Sequence, residues 1–297
     1  MAPRIVVVGS ANMDLVGLAE HLPAPGETVL GDDFVMTPGG KGANQAIAAV
    51  RAGGECAFLG AIGSDSFGVT ITARLRAAGV DTANLRTSYG ASGVAVIMVD
   101  RRGENSILVS PGANRTFTGL TEAEKAVIAA GDVLICQQEI PAATVIEAAR
   151  AARAGNTRTV LNAAPARDMS GELLELIDLL VVNEGEARAI TGSAERDIDA
   201  LVAVVPRVVL TLGSAGAWYA DRDGRAERVP AFPVESVDST AAGDAFTGAL
   251  AVAWGEGRDI VAAVRWACAA GAACVQKVGA YPSLPARSEI DRLYHAA

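Results

Sequence analysis

Two glycine-rich turns hold the residues best suited to do chemistry in this chain. One runs Asp238-Ser239-Thr240-Ala241-Ala242-Gly243-Asp244-Ala245-Phe246 and opens an Ala-rich stretch. Small residues followed by glycine at a helix start leave the N–H groups of Ala241, Ala242 and Gly243 free, where the helix dipole favours negative charge. A carboxylate beside such an anion hole suits transfer of a phosphoryl group to a hydroxyl. The amides stabilise charge on the moving group, and Asp244 takes the hydroxyl proton. Taken alone, Asp244 could equally be a residue that steadies the helix dipole.

The other turn is Thr37-Pro38-Gly39-Gly40-Lys41-Gly42-Ala43-Asn44-Gln45, again leading into an Ala-rich helix. Its glycines permit positive φ and close approach of a ligand, and free N–H groups at the helix start favour oxygen-rich partners. Lys41 adds a fixed charge, while Asn44 offers a donor and an acceptor one turn in. Gly42 follows the lysine where a Walker A loop requires Ser or Thr, so this is not that loop. No GxGxxG follows the first strand, which argues against a dinucleotide-binding dehydrogenase. The two histidines, His21 and His295, lie in a flap segment and near the C-terminal end, so a Ser-His-Asp hydrolase is hard to build.

Bulk properties narrow the classes further. The 297 residues carry a formal charge of −9, which lacks the basic face that general nucleic-acid binding needs. Hydrophobic residues make up 51% and charged ones 20%, as in a globular enzyme and unlike a disordered chain. Cys56, Cys136, Cys268 and Cys274 form no CxxC pair and sit in or beside apolar runs, which reads as free thiols in a reducing compartment. The N-terminus enters a strand directly, without a secretory h-region, and no apolar run approaches the ~18 residues of a membrane span. The expectation is a cytoplasmic protein without membrane or nucleic-acid partners.

These turns must be held by the elements around them. Short β-rich apolar runs at 4–9, 56–62, 93–99, 106–109, 132–137, 159–162, 179–183 and 207–212 read as strands. Helical stretches at 41–52, 68–78, 121–130, 142–154, 243–255 and 259–276 alternate with them. That alternation predicts an α/β fold: a central, mostly parallel sheet with helices on both faces, binding ligands beyond the carboxyl ends of its strands. Segments 15–37 and 92–110 break the pattern with strand-like stretches and turn signals. They are expected to form a small antiparallel flap, a lid or dimer surface, although an ordinary hairpin extension fits the same pattern. No linker or internal repeat divides the chain, so residues 1–297 read as one domain carrying this lid.

The chain resembles the ribokinase-like (PfkB) family of carbohydrate kinases over nearly its whole length, and within that family the branch acting on ribose. The resemblance is carried by Gly9-Ser10-Ala11-Asn12-Met13-Asp14, Pro25-Gly26-Glu27-Thr28, Gly39 through Gln45, Asn162-Ala163-Ala164-Pro165-Ala166, Asn183-Glu184-Gly185-Glu186, Thr211-Leu212-Gly213-Ser214-Ala215-Gly216 and the Asp238 to Asp244 turn. It implies a three-layer α/β/α fold with a β-sheet lid and ATP-dependent phosphorylation of D-ribose at O5. By the same resemblance Asn12, Asp14, Gly40, Lys41, Asn44 and Glu139 bind the sugar, with Asp244 as base and Ala241, Ala242 and Gly243 as the anion hole. Asn183, Glu186, Thr211, Gly213, Gly216 and Gly243 serve ATP, with Glu186 acting on Mg²⁺ through water. Asp238, Thr240, Cys274, Lys277, Gly279 and Ser283 correspond to the part that binds a monovalent cation, usually K⁺, and the lid implies a homodimer.

Two departures from the family pattern stand out. The anion hole reads Ala-Ala-Gly-Asp where many relatives have Gly-Ala-Gly-Asp, and Cys268 and Cys274 occupy positions where other small residues are common. A kinase of the same fold acting on deoxyribose, another sugar or a nucleoside stays open from the residues alone. So does a sugar-binding regulator without catalysis, against which the intact Asp244 and its turn argue.

Overall fold

The structure, a computed structural model, describes residues 1–193 and 197–296. In chain order its first strands are β1 (Arg4–Val8), β2 (Asn12–Ala19), β3 (Asp33–Gly39), β4 (Glu55–Gly63), β5 (Leu85–Ser88), β6 (Gly93–Asp100) and β7 (Asn105–Ser110). They continue with β8 (Val133–Gln137), β9 (Arg158–Asn162), β10 (Leu179–Asn183), β11 (Arg207–Thr211), β12 (Ala217–Asp221) and β13 (Ala226–Val229). The helices are α1 (Lys41–Arg51), α2 (Ser66–Ala77), α3 (Glu122–Ala129), α4 (Ala142–Ala154), α5 (Gly171–Leu176) and α6 (Glu184–Thr191). After them come α7 (Ile198–Val204), α8 (Ala242–Gly255), α9 (Ile260–Cys274), α10 (Ala280–Ser283) and α11 (Arg287–Ala296).

The main sheet has the order β13-β12-β11-β10-β9-β8-β1-β4-β5. Its strands pair in parallel from β5 to β11, and β12 and β13 add an antiparallel edge. The continuously apolar strands follow from coverage on both faces. Ile5 and Val7 of β1 pack into one core, with Trp254, Leu250 and Ala267 from α8 and α9. Val6 and Val8 point the other way, into a second core with Ile128, Val145 and Ala148 from α3 and α4. This is the expected three-layer α/β/α arrangement.

The segments set aside as a flap form a separate sheet of order β3-β2-β6-β7. One detail corrects the expectation. β2 pairs antiparallel with β3, and β6 with β7, but β2 and β6 run parallel, so the sheet is mixed. The reason lies in connectivity. β2 follows β1 and β6 follows β5, two parallel strands of the main sheet, so both leave its same end and extend in the same direction. β2 carries Asn12 and Asp14, so the small sheet shares residues with the site below it.

Candidate active site

α8 is buried along almost its whole length, from Asp244 to Trp254, which makes it a central helix rather than an amphipathic surface one. It crosses α1 at closest approach between Gly248 and Ala48. A Cβ on Gly248 would stand 2.6 Å from the Ala48 Cβ and 2.9 Å from the Ala49 nitrogen. Only a hydrogen at this position lets the helices meet so tightly. The crossing brings the first turns of both helices together, and with them the two glycine-rich motifs.

Asp244 lies at that junction, buried. Its Oδ2 accepts from the Asn44 side-chain amide at 3.0 Å and its Oδ1 from the Gln45 amide at 2.9 Å. Burial holds its carboxyl above the usual range, opposed by Lys41 and by these two donors, with Glu139 adding repulsion. Ala241, at the N-cap of α8, adopts the left-handed conformation (φ 61°, ψ 9°) that non-glycine residues rarely take. That conformation turns the chain sharply into the helix. The Ala242 amide donates to the Ser239 carbonyl at 3.2 Å, which corrects the expectation of three free amides in a row. Among the described residues no backbone acceptor engages the amides of Ala241 and Gly243.

The start of α1 also departs from expectation. Its first amides are not free: Lys41 N donates to Glu139 Oε2 (3.3 Å), Gly42 N to Ser10 Oγ (3.3 Å) and Ala43 N to the Ser10 carbonyl (2.9 Å). The chain folds its own oxygens onto the helix dipole there. Gly40 has φ 90°, and a Cβ on it would fall 2.7 Å from the Asn12 nitrogen, so the turn demands glycine. Glu139 Oε2 also accepts from Ser10 Oγ at 2.5 Å. These bonds all use Oε2 and leave Oε1 for another donor.

Asn12 is buried at the base of β2, and its Oδ1 accepts from Asn114 Nδ2 at 2.7 Å, which leaves its own Nδ2 to donate. Asn114 in turn accepts from the Ala11 amide at 3.0 Å. Asp14 sits two residues along on the same face of β2, against Gly39 of β3. Burial, with the charges of Glu139 and Asp244, raises its carboxyl to about 7, against the pull of Lys41. Burial pulls Lys41 down, but Asp244, Glu139, Glu186 and Asp14 together outweigh it and hold the ammonium above its ordinary value. One cation on α1 thus stands among four carboxylates drawn from four other stretches of chain. Asn12, Asp14, Lys41, Asn44, Glu139 and Asp244 thus bring donors and acceptors into one group, as a polyol requires.

A cleft of about 430 Å³ opens on the other side of α8's start. Thr211, Gly213, Gly216, Ala242 and Gly243 line it, joined by Phe232, Pro233, Val234 and Phe246. The walls are mostly apolar with a few polar groups, as suits a flat heteroaromatic ring. Asn183 and Glu186 do not line this cleft. They form a reciprocal cap on α6, Asn183 Oδ1 accepting from Glu186 N and Glu186 Oε2 from Asn183 N, both at 2.8 Å. Glu186 Oε1 remains open. Burial raises its carboxyl, against the Asn183 amide and Lys41, and Asp244 adds to the rise, so it faces the same charged centre. Among the described residues no group of three or more His, Cys, Asp or Glu stands close enough to hold a metal ion. Glu186 alone fits Mg²⁺ only in the way that ion favours, through waters and substrate phosphates.

Asp238 Oδ1 accepts from both the amide and the hydroxyl of Thr240 (2.8 and 2.6 Å), and Oδ2 from the Gly279 amide at 2.7 Å. Burial works to raise its carboxyl, but these donors outweigh it and lower it. Cys274 Sγ lies 3.1 Å from Ser283 Oγ and 3.6 Å from the Thr240 carbonyl. The two loops are therefore stitched together, which fits a cation held by oxygens from both. Two side chains of the expected set do not fit. Burial pushes the Cys274 thiol up to about 11, leaving a neutral, soft sulfur that suits a hard cation poorly. Lys277 is itself cationic and is engaged by Glu289 at 2.6 Å. Only their backbone carbonyls remain as ligands.

Sequence reasoning missed several residues here. Ser10, Asn114, Gln45, Gln137 and Asn162 all make buried polar contacts at the site, and the 231–236 segment walls the cleft. Ser10, Gln45 and Asn162 stood within recognised motifs, and a polar side chain in an otherwise apolar or small-residue setting was the available signal.

A model described as the pfkB family carbohydrate kinase matches residues 2–287. A ribokinase from Haemophilus influenzae is 38% identical over 307 residues, covering 100% of both chains. One from Bacillus subtilis is 39% identical over 298 residues, covering 98% of this chain and 99% of its own. Among solved structures, Arabidopsis thaliana ribokinase complexed with ribose and ATP superposes with a TM-score of 0.92 at 33% identity, covering 99% of each chain. The motifs, the two-sheet architecture and these full-length matches agree: the chain belongs to the pfkB family of carbohydrate kinases.

Proposed function

We propose that this chain transfers the γ-phosphoryl group of ATP to the 5-hydroxyl of D-ribose, giving D-ribose 5-phosphate and ADP. One observation carries the reading: a buried carboxylate, Asp244, oriented by Asn44 and Gln45 at the mouth of a helix with open amides at Ala241 and Gly243. Asp244 accepts the hydroxyl proton as the oxygen attacks in line, and the amides take up charge on the transferring oxygens. Relatives named ribokinase, and a structural neighbour bound to ribose and ATP, support the choice of substrates.

Asn12, Asp14, Gly40, Lys41, Asn44 and Glu139 hold the sugar, with Asn12 Nδ2 and Lys41 donating while Glu139 Oε1 accepts. The ring of ATP lies in the cleft beside Gly213, Gly216 and Phe232, and its phosphates run past Thr211 and Gly243 toward Lys41. Asn183 and Glu186 flank the phosphates. Glu186 would hold Mg²⁺ through water, and the ion would supply positive charge to the phosphate oxygens. K⁺ would be held by Asp238, Thr240, Ser283 and carbonyls around Gly279, and would supply a fixed charge to steady the 238–241 turn.

The small sheet acts as a lid that excludes water and so limits ATP hydrolysis. Phe34, Met36, Ile107 and Leu108 on its outer strands are exposed, more apolar surface than a lone lid needs, and support a homodimer formed through it. Four free, buried cysteines suit a cytoplasmic setting, and no helix among the described residues is long and apolar enough to cross a membrane. A coupled ADP-release assay across ribose, deoxyribose, fructose and nucleosides, with and without K⁺, tests the reading. Ribose should be preferred more than tenfold. A larger rate on another acceptor would move the assignment to that acceptor.

A further inference from the structure

Behind Asp244 lies a chain of three side-chain amides whose orientations leave no choice. Asn162 Nδ2 donates to the Val181 carbonyl at 3.3 Å, which turns its Oδ1 toward Gln45. Gln45 Nε2 then donates to both Asn162 Oδ1 (3.0 Å) and Asp244 Oδ1 (2.9 Å). Its Oε1 is left to accept from Gln137 Nε2 at 2.7 Å. Gln137 ends the chain with its Oε1 buried and without a donor. That oxygen sits against Gly9, where any Cβ would collide with it.

The unpaired carbonyl is a consequence of the order in the chain. Rotating the Gln137 amide would set its oxygen against Gln45 Oε1, and Gln45 would then have to turn its own oxygen toward Asp244. A buried acceptor is left unmet so that one N–H points at the carboxylate. Gln45 and Gln137 are fully buried and come from α1 and the end of β8, so they lie behind the carboxylate rather than in the open mouth.

We infer that Gln45, locked by Gln137 and Asn162, is a positioning residue that holds Asp244 ionised and aimed at the acceptor hydroxyl. It touches neither sugar nor nucleotide in this role; it acts through Asp244. The inference rests on Asp244 being the base. The other charged or titratable groups facing Asp244 are Lys41 on α1, Asp14 on β2, Glu139 after β8, Glu186 on α6 and Cys274 on α9. Lys41 favours the ionised form and the carboxylates oppose it. Gln45 and Asn44 are the neutral donors that add to Lys41. Loss of a donor to the ionised form raises a carboxyl's pKa, so the active fraction appears only at higher pH.

The test follows the Asp244 carboxyl carbon by NMR in protein labelled at aspartate, with the signal assigned by its loss in Asp244→Asn. Gln45→Leu should shift its titration upward by about one pH unit or more. Gln137→Leu, which frees Gln45 to rotate, should shift it the same way by less. In kinetics, the acid limb of kcat should move with the titration in both variants, and kcat should recover at high pH with the sugar KM within about threefold. An unmoved titration in folded Gln45→Leu protein overturns the inference, as does a loss of kcat that is equal at every pH. If Gln45→Leu does not fold, Gln137→Leu carries the same two readouts. The NMR result stands whether or not ribose is the acceptor. A wild-type chain inactive on every sugar therefore fails the functional reading separately, and a moved titration with an unmoved acid limb sinks the positioning role alone.

Discussion

Asn44 and Asp244 are hydrogen-bonded at 3.0 Å although 200 positions separate them in the chain. The bond ties the first turn of α1 to the first turn of α8, so the sugar-facing motif and the phosphoryl-facing motif are assembled as one unit. Neither helix start is complete without the other. The close crossing at Gly248 sets the distance between them.

Removing the Asn44 amide should therefore damage both binding and chemistry. In Asn44→Leu, Asp244 Oδ2 loses its donor and the sugar loses a partner. The expected loss is about 10²-fold in kcat/KM, divided between a lower kcat and a higher KM, on the order of 3 kcal/mol. Steady-state kinetics with varied sugar would show it. A change confined to KM would mean Asn44 contributes only binding.

Gly248 offers a test of the scaffold apart from the chemistry. Gly248→Val must push α1 away from α8, costing about 1–3 kcal/mol by overpacking. Denaturant melts should show that loss. Because the shift separates Asn44 and Gln45 from Asp244, activity per folded molecule should fall as well. Full specific activity in the folded variant would show that the crossing does not set the site.

Asp14 couples function to stability in opposite directions. Its carboxyl is raised to about 7, chiefly by burial and then by Glu139 and Asp244. The unfolded chain gives up this proton near pH 4 and the folded one only near 7. The folded state thus holds the extra proton between those values, and stability from this group is lost as pH rises through the window. Asp14→Asn should be more stable than the parent at pH 8, by up to about 4 kcal/mol, with the gap closing toward pH 4. The same variant should bind sugar far more weakly, and parent sugar affinity should rise with pH near 7. Thermal melts at several pH values check the first point and titration calorimetry the second.

Much of this was legible from the residues. The apolar strands and Ala-rich helices declared the parallel sheet because doubly covered strands cannot alternate, and α4 and β10 stand at the expected bounds. Short elements escaped. β5 and β13 are the edge strands of the main sheet and β12 lies next to one edge, all three with mixed polarity, and α5, α6 and α7 span too few residues to show a period. The direction of β2 relative to β6 depends on where each leaves the core, which no local pattern encodes. The two glycine turns announced the site, but which of their amides are free did not follow from composition. Ser10 and Glu139 reach α1 from elsewhere in the chain, and Ser239 returns to Ala242. Asn114 sits in a short 3₁₀ turn and meets Asn12 102 positions away, a pairing only the fold reveals.

The outer face of the lid gives a prediction of assembly. A charge on the exposed β7 residue, Leu108→Asp, together with Phe34→Asp on β3, should convert a dimer to a monomer in sedimentation while leaving the melt within a few degrees. Water exclusion over the sugar should suffer, seen as a higher ratio of ATP hydrolysis to transfer. A parent that sediments as a monomer would remove the dimer from the account.

The most direct measurement compares the parent with Asp244→Asn for ATP-dependent phosphorylation of ribose and, separately, for ribose binding by calorimetry. The variant should retain ribose affinity within about tenfold while kcat falls at least about 10²-fold: the proton acceptor is lost, and the NH₂ that replaces one oxygen meets a donor, Asn44 or Gln45, at the cost of one hydrogen bond. Turnover near the parental rate would contradict the assignment of this carboxylate as the base, and with it the proposed chemistry of the site.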